Sequence, residues 1–308
     1  MTALRLALLQ QPIMRPADFP GWAALLDARV AEAAAAGAEL LVMPEYGCVE
    51  LAGCAAPAAA QDPAPDVARE LDVVCAATER LLDAMRATAR RHGVWLLPGT
   101  LPVRDAAPDG RPRTRNRAPL IAPSGRCAFQ DKSVMTRFES EVWDIAPGEP
   151  PAVFDTPWGR IGICICYDIE FPPLARAQVE AGAFLILAPS CTDTIAGFNR
   201  VRLSARARAL ENQCYVAIAP PVGAAPWLGT LDANRGYAAV FGPVDRGFPE
   251  DGVIVEGDGA GWVFADLDPA RLDAVRRDGA VLNFRDWPAD WRGPAAGPIP
   301  FGNPEGPP

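Results

Sequence analysis

Residues 161–173 read IGICICYDIEFPP. The stretch from 160 to 166, apolar after Arg160, has the length and composition of a strand, Tyr167-Asp168 is a polar turn, and Pro172-Pro173 suits the first turn of a helix. The helix closes near Gly182. This reading puts Cys164 and Cys166 on one face of the strand, because residues two apart point the same way. It also leaves Cys166 at the strand's lip, where a bound molecule could meet it.

Reading outward, the pattern repeats. Downstream stand a strand at 184–189 (FLILAP), a helix at 199–212 and a strand at 214–219 (CYVAIA). Upstream, residues 4–10 (LRLALLQ) form a strand and 21–36 an Ala/Leu-rich helix that stops at Gly37. A strand at 39–44 (ELLVMP) follows, then an Ala/Pro-rich loop at 48–65, one long amphipathic helix at 67–91 and a strand at 94–98. Segments 117–122 and 126–131, joined by Pro-Ser-Gly, form a hairpin, and 136–151 reads as loop. The chain is β-rich to about 266, with a short helix near 270–277. Alternating strands and helices predict an α/β fold around a largely buried sheet. We expect one domain over 1–285 and a Pro/Gly-rich extended tail over 286–308.

Composition narrows the function. Half of the 308 residues are apolar and the net charge is −9. No Lys/Arg cluster exceeds a short patch (Arg111, Arg113, Arg115, Arg117), which is no nucleic-acid stripe. The first residues read as a strand and lack a cleavage pattern, and no uncharged apolar stretch is long enough for a membrane span. We expect a cytoplasmic protein with no membrane or nucleic-acid partner. Its eight cysteines are then reduced thiols. No CxxC pair occurs, and Cys164 with Cys166 could hold a metal only with help from elsewhere, so no metal and no cofactor are expected. The single histidine, His92, sits where a helix ends at Gly93, as a cation at a helix C-terminus does. A nucleophilic Cys166 would therefore need a carboxylate or an amine as its base.

Three stretches put a reactive side chain just past a strand or in a polar turn: LLVMPEYG with Glu45, FQDKSVMTRFESEVW with Lys132, and GICICYDIEFPP with Cys166. Singly, each has a plain structural explanation. In this order and context they resemble the nitrilase superfamily of carbon–nitrogen hydrolases. Asn116-Arg117-Ala118 with its apolar run, PWGRIGICICYD and RARALENQCYV extend the likeness over roughly residues 4–266.

The resemblance implies a four-layer α-β-β-α sandwich, a homodimer or higher homo-oligomer, and a Glu45-Lys132-Cys166 triad. It also implies a second glutamate; Lys132, Glu139 and Trp143 fit that family spacing, with Glu141 the alternative. Cys166-Tyr167-Asp168 is similar to the amidase-like branch rather than to nitrile hydrolases, so a small-molecule amide is the expected substrate. Nitriles and N-carbamoyl amines are the alternatives with the same triad, an N-acyltransferase or a non-catalytic scaffold those of another class. Glu170 departs from the arginine often found in that branch. The backbone N–H of Tyr167 is the natural second oxyanion donor. PSCTDT at 189–194 should border the pocket, with Ser190 and Asp193 as substrate-binding candidates, although Asp193 could equally cap a helix.

Overall fold

The computed structural model describes residues 2–55, 65–107 and 110–287. The strands are β1 (Leu4–Pro12), β2 (Leu40–Val42), β3 (Trp95–Leu97), β4 (Leu101–Ala106), β5 (Pro112–Ile121), β6 (Cys127–Asp131), β7 (Val153–Thr156) and β8 (Gly159–Ile163). They continue with β9 (Ala183–Pro189), β10 (Tyr215–Ala219), β11 (Pro221–Ala224), β12 (Ala233–Asn234), β13 (Ala239–Phe241), β14 (Val253–Glu256) and β15 (Gly261–Leu267). The helices are α1 (Phe19–Ala35), α2 (Val67–Ala76), α3 (Thr78–His92), α4 (Arg137–Glu141), α5 (Pro172–Glu180), α6 (Ile195–Asn212), α7 (Pro269–Asp278) and α8 (Asn283–Asp286).

Two sheets form. One runs β12-β11-β1-β2-β3-β5-β4, with β15 also paired to β1 and β6 to β5. The other runs β14-β13-β10-β9-β8-β7. The parallel pairs β1–β2–β3 and β8–β9–β10 make two centres; β11 adds a short parallel pair to β1, and the other flanking strands are antiparallel.

Side-chain alternation explains why the sheets stack. Leu4, Leu6 and Leu8 of β1 share a cluster with Ile161, Leu185 and Val216 of the second sheet. Ala7 and Leu9, between them, face the other way and pack with Trp22, Leu26 and Val30 of α1. Helix α3 joins that outer layer through Leu81 and Met85. On the far side, Ala175 and Val179 of α5 and Val201 and Ala205 of α6 pack against the second sheet. Four layers result, in the expected order α-β-β-α.

The structure corrects four local expectations. The helix read over 67–91 is two helices that share Ala77 as a cap (φ −97, ψ 3), where the Thr78 hydroxyl bonds the Cys75 carbonyl at 2.9 Å. The two halves pack on different neighbours, α2 on β4 and the 47–55 turn, α3 on α1. Residues 136–151 contain α4, started by a capping box in which Thr136 and Glu139 bond each other's backbone. The 48–65 loop opens with a 3-10 helix, Gly47–Ala55, and its remainder through 64 lies outside the described residues. The strand ending at Ile163 is shorter than the 160–166 expected. The tail beyond Trp287 lies outside the described residues.

Candidate active site

Each site residue leaves its strand in a way the backbone dictates. The β2 ladder continues one step through Met43 N–H to Leu97 O at 2.8 Å and delivers Glu45 just past the sheet. Gly99 lets the chains meet there: its φ is +87°, and a Cβ would lie 1.9 Å from the Pro44 carbonyl oxygen. Lys132 follows β6 and is clamped by its own backbone, its N–H on Asn116 O (2.9 Å) and its carbonyl receiving Gly148 N–H (2.7 Å). Cys166 opens a 3-10 turn after β8 with φ +49°, a left-handed conformation costly for a residue with a Cβ. That turn ends the same-face pairing expected of the two thiols. Cys164 stays in the core and bonds Gln178 Oε1 at 3.3 Å, while Cys166 lines a cavity.

Glu45, Lys132, Glu139 and Cys166 all line one cavity of about 770 Å³. Lys132 Nζ donates to Glu45 Oε1 at 2.8 Å and to Glu139 Oε2 at 2.7 Å. Asn116 Nδ2 spans the same two carboxylates at 2.9 and 3.1 Å. Tyr46 donates its hydroxyl to Glu139 Oε1 at 2.8 Å, and the N–H and hydroxyl of Thr136 both donate to Oε2 at 3.0 Å. Glu141, the alternative second glutamate, is exposed and pairs with Arg137 instead.

Burial sets the electrostatics. It lifts the Glu45 carboxyl to about 7; the Lys132 charge pulls it down and Glu139 pushes it back up. Burial alone would lower Lys132, but Glu45 and Glu139 hold it well above the ordinary lysine value. Burial would raise Glu139, yet Lys132, with bonds from Thr136 and Tyr46, keeps it below the usual carboxylate value. The Cys166 thiol is pushed well above the ordinary thiol range by burial and by Glu45. The first turn of α5 does not offset this: Pro172 and Pro173 carry no N–H there. The group is therefore held as the neutral thiol. Its hydrogen bond runs to the Cys191 carbonyl at 3.5 Å, and Glu45 is close enough to feel it.

Asp168 ties the thiol's turn to the lysine's loop. It accepts the N–H groups of Val134 (2.8 Å), Ser133 (3.1 Å) and Ile165 (3.1 Å), and burial raises it to about 6. Glu70, also buried, accepts Gly229 and Thr230 N–H at 2.7 and 3.0 Å and so holds a loop that walls the cavity.

Tyr167 and Asp193 line the cavity. Asp193 is not the cap: Thr194 accepts Gly197 N–H and starts α6. Ser190 does not line the cavity. Its N–H reaches Ala219 O and its hydroxyl Ala188 O at 2.9 Å, so it faces inward, while Cys191 and Thr192 turn to the opening. Asn116, Tyr46, Thr136 and Asp168 were not anticipated in these roles; the only local signal was the Thr-x-x-Glu capping box at 136–139.

Residues 5–260 match the sequence profile of the family described as "Carbon-nitrogen hydrolase". "Probable hydrolase YhcX" of Bacillus subtilis is 38% identical over 173 residues, 56% of this chain and 34% of its own length. The chain thus spans about a third of that relative. "Deaminated glutathione amidase" of Synechocystis is 30% identical over 224 residues, 69% of this chain and 77% of its own. Among solved structures, a mutant of the amidase from Nesterenkonia sp. AN1 is 26% identical with a TM-score of 0.65, covering 92% of this chain and 93% of that one. Its structure is described with the acetamide moiety of fluoroacetamide added covalently at the active-site cysteine.

Proposed function

This chain belongs to the carbon–nitrogen hydrolase family, and from that premise we propose that it is a cysteine-dependent amidase. It cleaves a small amide through a thioester on Cys166 and releases ammonia or an amine. The observation that carries this reading is the position of Lys132. Two of its three N–H donors are held by Glu45 and Glu139, which leaves the third for an oxyanion above Cys166.

The thiol turns from the Cys191 carbonyl and gives its proton to Glu45, whose value near 7 suits that exchange. The sulfur attacks the amide carbon. The oxygen takes the negative charge and is held by Lys132 and the backbone N–H of Tyr167. Glu45 passes the proton to the departing nitrogen, the C–N bond breaks, and a thioester remains. Glu45 then takes a proton from water, whose oxygen attacks the thioester. The carboxylic acid leaves, and the sulfur recovers a proton from Glu45. Asn116 and Glu139 keep Lys132 and Glu45 aligned through both halves.

The reading also includes a homo-oligomer in a reducing compartment such as the cytoplasm. In support, Leu203 and Leu210 of α6 are exposed, as are Val244 and Val281. All eight cysteines are unpaired, and no helix among the described residues is long and apolar enough to cross a membrane.

The test is ammonia release from primary amides, ω-amides, N-carbamoyl compounds and nitriles, by wild type and Cys166→Ala in parallel. Release from the amide arm that vanishes in the variant is expected. Equal release from both proteins would overturn the thiol mechanism, and release from the nitrile arm alone would overturn the amide assignment.

A further inference from the structure

The cavity carries charge that the chemistry above does not use. Its outer cations are matched: Arg137 pairs with Glu141 at 2.9 Å, and Arg200 faces Glu170 at 3.5 Å. Lys132 is matched twice over, deep inside. Asp193 and Asp232 line the same cavity, and neither forms an ion pair among the described residues. Neither is consumed by local structure. Thr194, not Asp193, caps α6, and the bond Asp232 makes is from the adjacent Ala233 N–H at 2.8 Å. The guanidinium of Arg235 turns to the Asn234 carbonyl and pairs with neither.

The two carboxylates sit on segments that are fastened together. Arg235 N–H donates to Thr192 O at 2.8 Å, and the Thr192 hydroxyl donates back to Arg235 O at 2.6 Å. The cavity itself is the sign of a ligand: about 770 Å³ is far more than a carboxamide fills. Trp143, Phe138, Val142 and Val201 supply apolar wall to the same cavity. A catalytic centre, apolar wall and two unmatched carboxylates in one cavity describe one kind of occupant.

We propose that the substrate is an amide whose acyl chain ends in an ammonium group, recognised by Asp193 and Asp232. This rests on the amidase reading and names the substrate class of the same site. An ammonium gains two unmatched carboxylates there, whereas a terminal carboxylate meets like charge and loses water without compensation. Recognition far from the reacting carbon acts on binding, so it appears in KM more than in kcat.

The experiment compares 6-aminohexanamide, hexanamide and adipic acid monoamide, with ammonia release as the readout. Wild type, Asp193→Asn, Asp232→Asn and the double variant are measured. Wild type should favour the ammonium over the neutral amide about tenfold in kcat/KM, with the carboxylate last. Each single variant should shrink the ammonium-to-neutral ratio by about threefold, through KM, and the double variant should erase it. A neutral amide turned over as well as the ammonium, or a preference that survives in the double variant, overturns the proposal and leaves the amidase reading standing. So does silence on these three compounds with release from another amide. Silence on every amide overturns both.

Discussion

The ammonium of Lys132 lies 2.7 Å from Glu139 Oε2, with only 1% and 2% of the two side chains exposed. Removing one partner of a buried pair leaves the other charge uncompensated. Glu139 also raises Glu45 by repulsion. Glu139→Gln should therefore lower kcat/KM by about a hundredfold through misalignment. It should also move the acidic limb of the pH profile, expected near 7 in wild type from the raised Glu45 carboxyl, to lower pH. Glu141→Gln, on an exposed pair, should cost less than about threefold. A profile unmoved in Glu139→Gln would detach Glu139 from Glu45.

Glu45 makes a stability prediction of unusual sign. Its folded value, about 7, lies above the ordinary 4.5, so the folded state binds the extra proton between those values. Stability then falls as pH rises through that window. Glu45→Gln cannot ionise. Its stability relative to wild type should climb from pH 4.5 to 7, by up to about 3 kcal/mol, in urea titrations at each pH. A difference that stays flat across the window would show that Glu45 titrates normally.

The left-handed backbone of Cys166 separates chemistry from strain. Cys166→Ala and Cys166→Gly both lack the thiol and should both be inactive. Glycine adopts φ +49° freely, so Cys166→Gly should be the more stable of the two by about 1 kcal/mol. Equal denaturation midpoints would mean the turn stores no strain.

Asp168 should act through position. Asn in its place offers the neighbouring N–H groups one acceptor and one clashing donor. Asp168→Asn should lose about 2 kcal/mol of stability and lower kcat more than it raises KM, because the loop of Lys132 loosens. An unchanged kcat at full folding would confine Asp168 to the turn.

What was legible in the sequence, and what was not, follows from range. Glu45, Lys132 and Cys166 each stand at a strand end or a polar turn, features visible within about ten residues. Glu139 was reached through its spacing from Lys132. Asn116 and Tyr46 meet Glu139 across 23 and 93 residues, and no local pattern encodes that. Ser190 was misplaced because the ladder continues one residue past β9, which turns its side chain inward. The break at Ala77 is a tertiary event: alanine is a good helix former, and only the two packing partners pull α2 and α3 apart.

Helix α4 does two things in one turn. Glu139 closes the capping box with Thr136 and grips Lys132, while Phe138 and Val142 stand 65% and 68% exposed at the cavity's rim. One short turn, fixed at Thr136, thus carries both the rim side chains and the carboxylate that holds the ammonium below. A substitution that reshapes the rim at Phe138 or Val142 therefore falls within three residues of the Lys132 partner, and its effect on substrate choice should be read together with its effect on turnover.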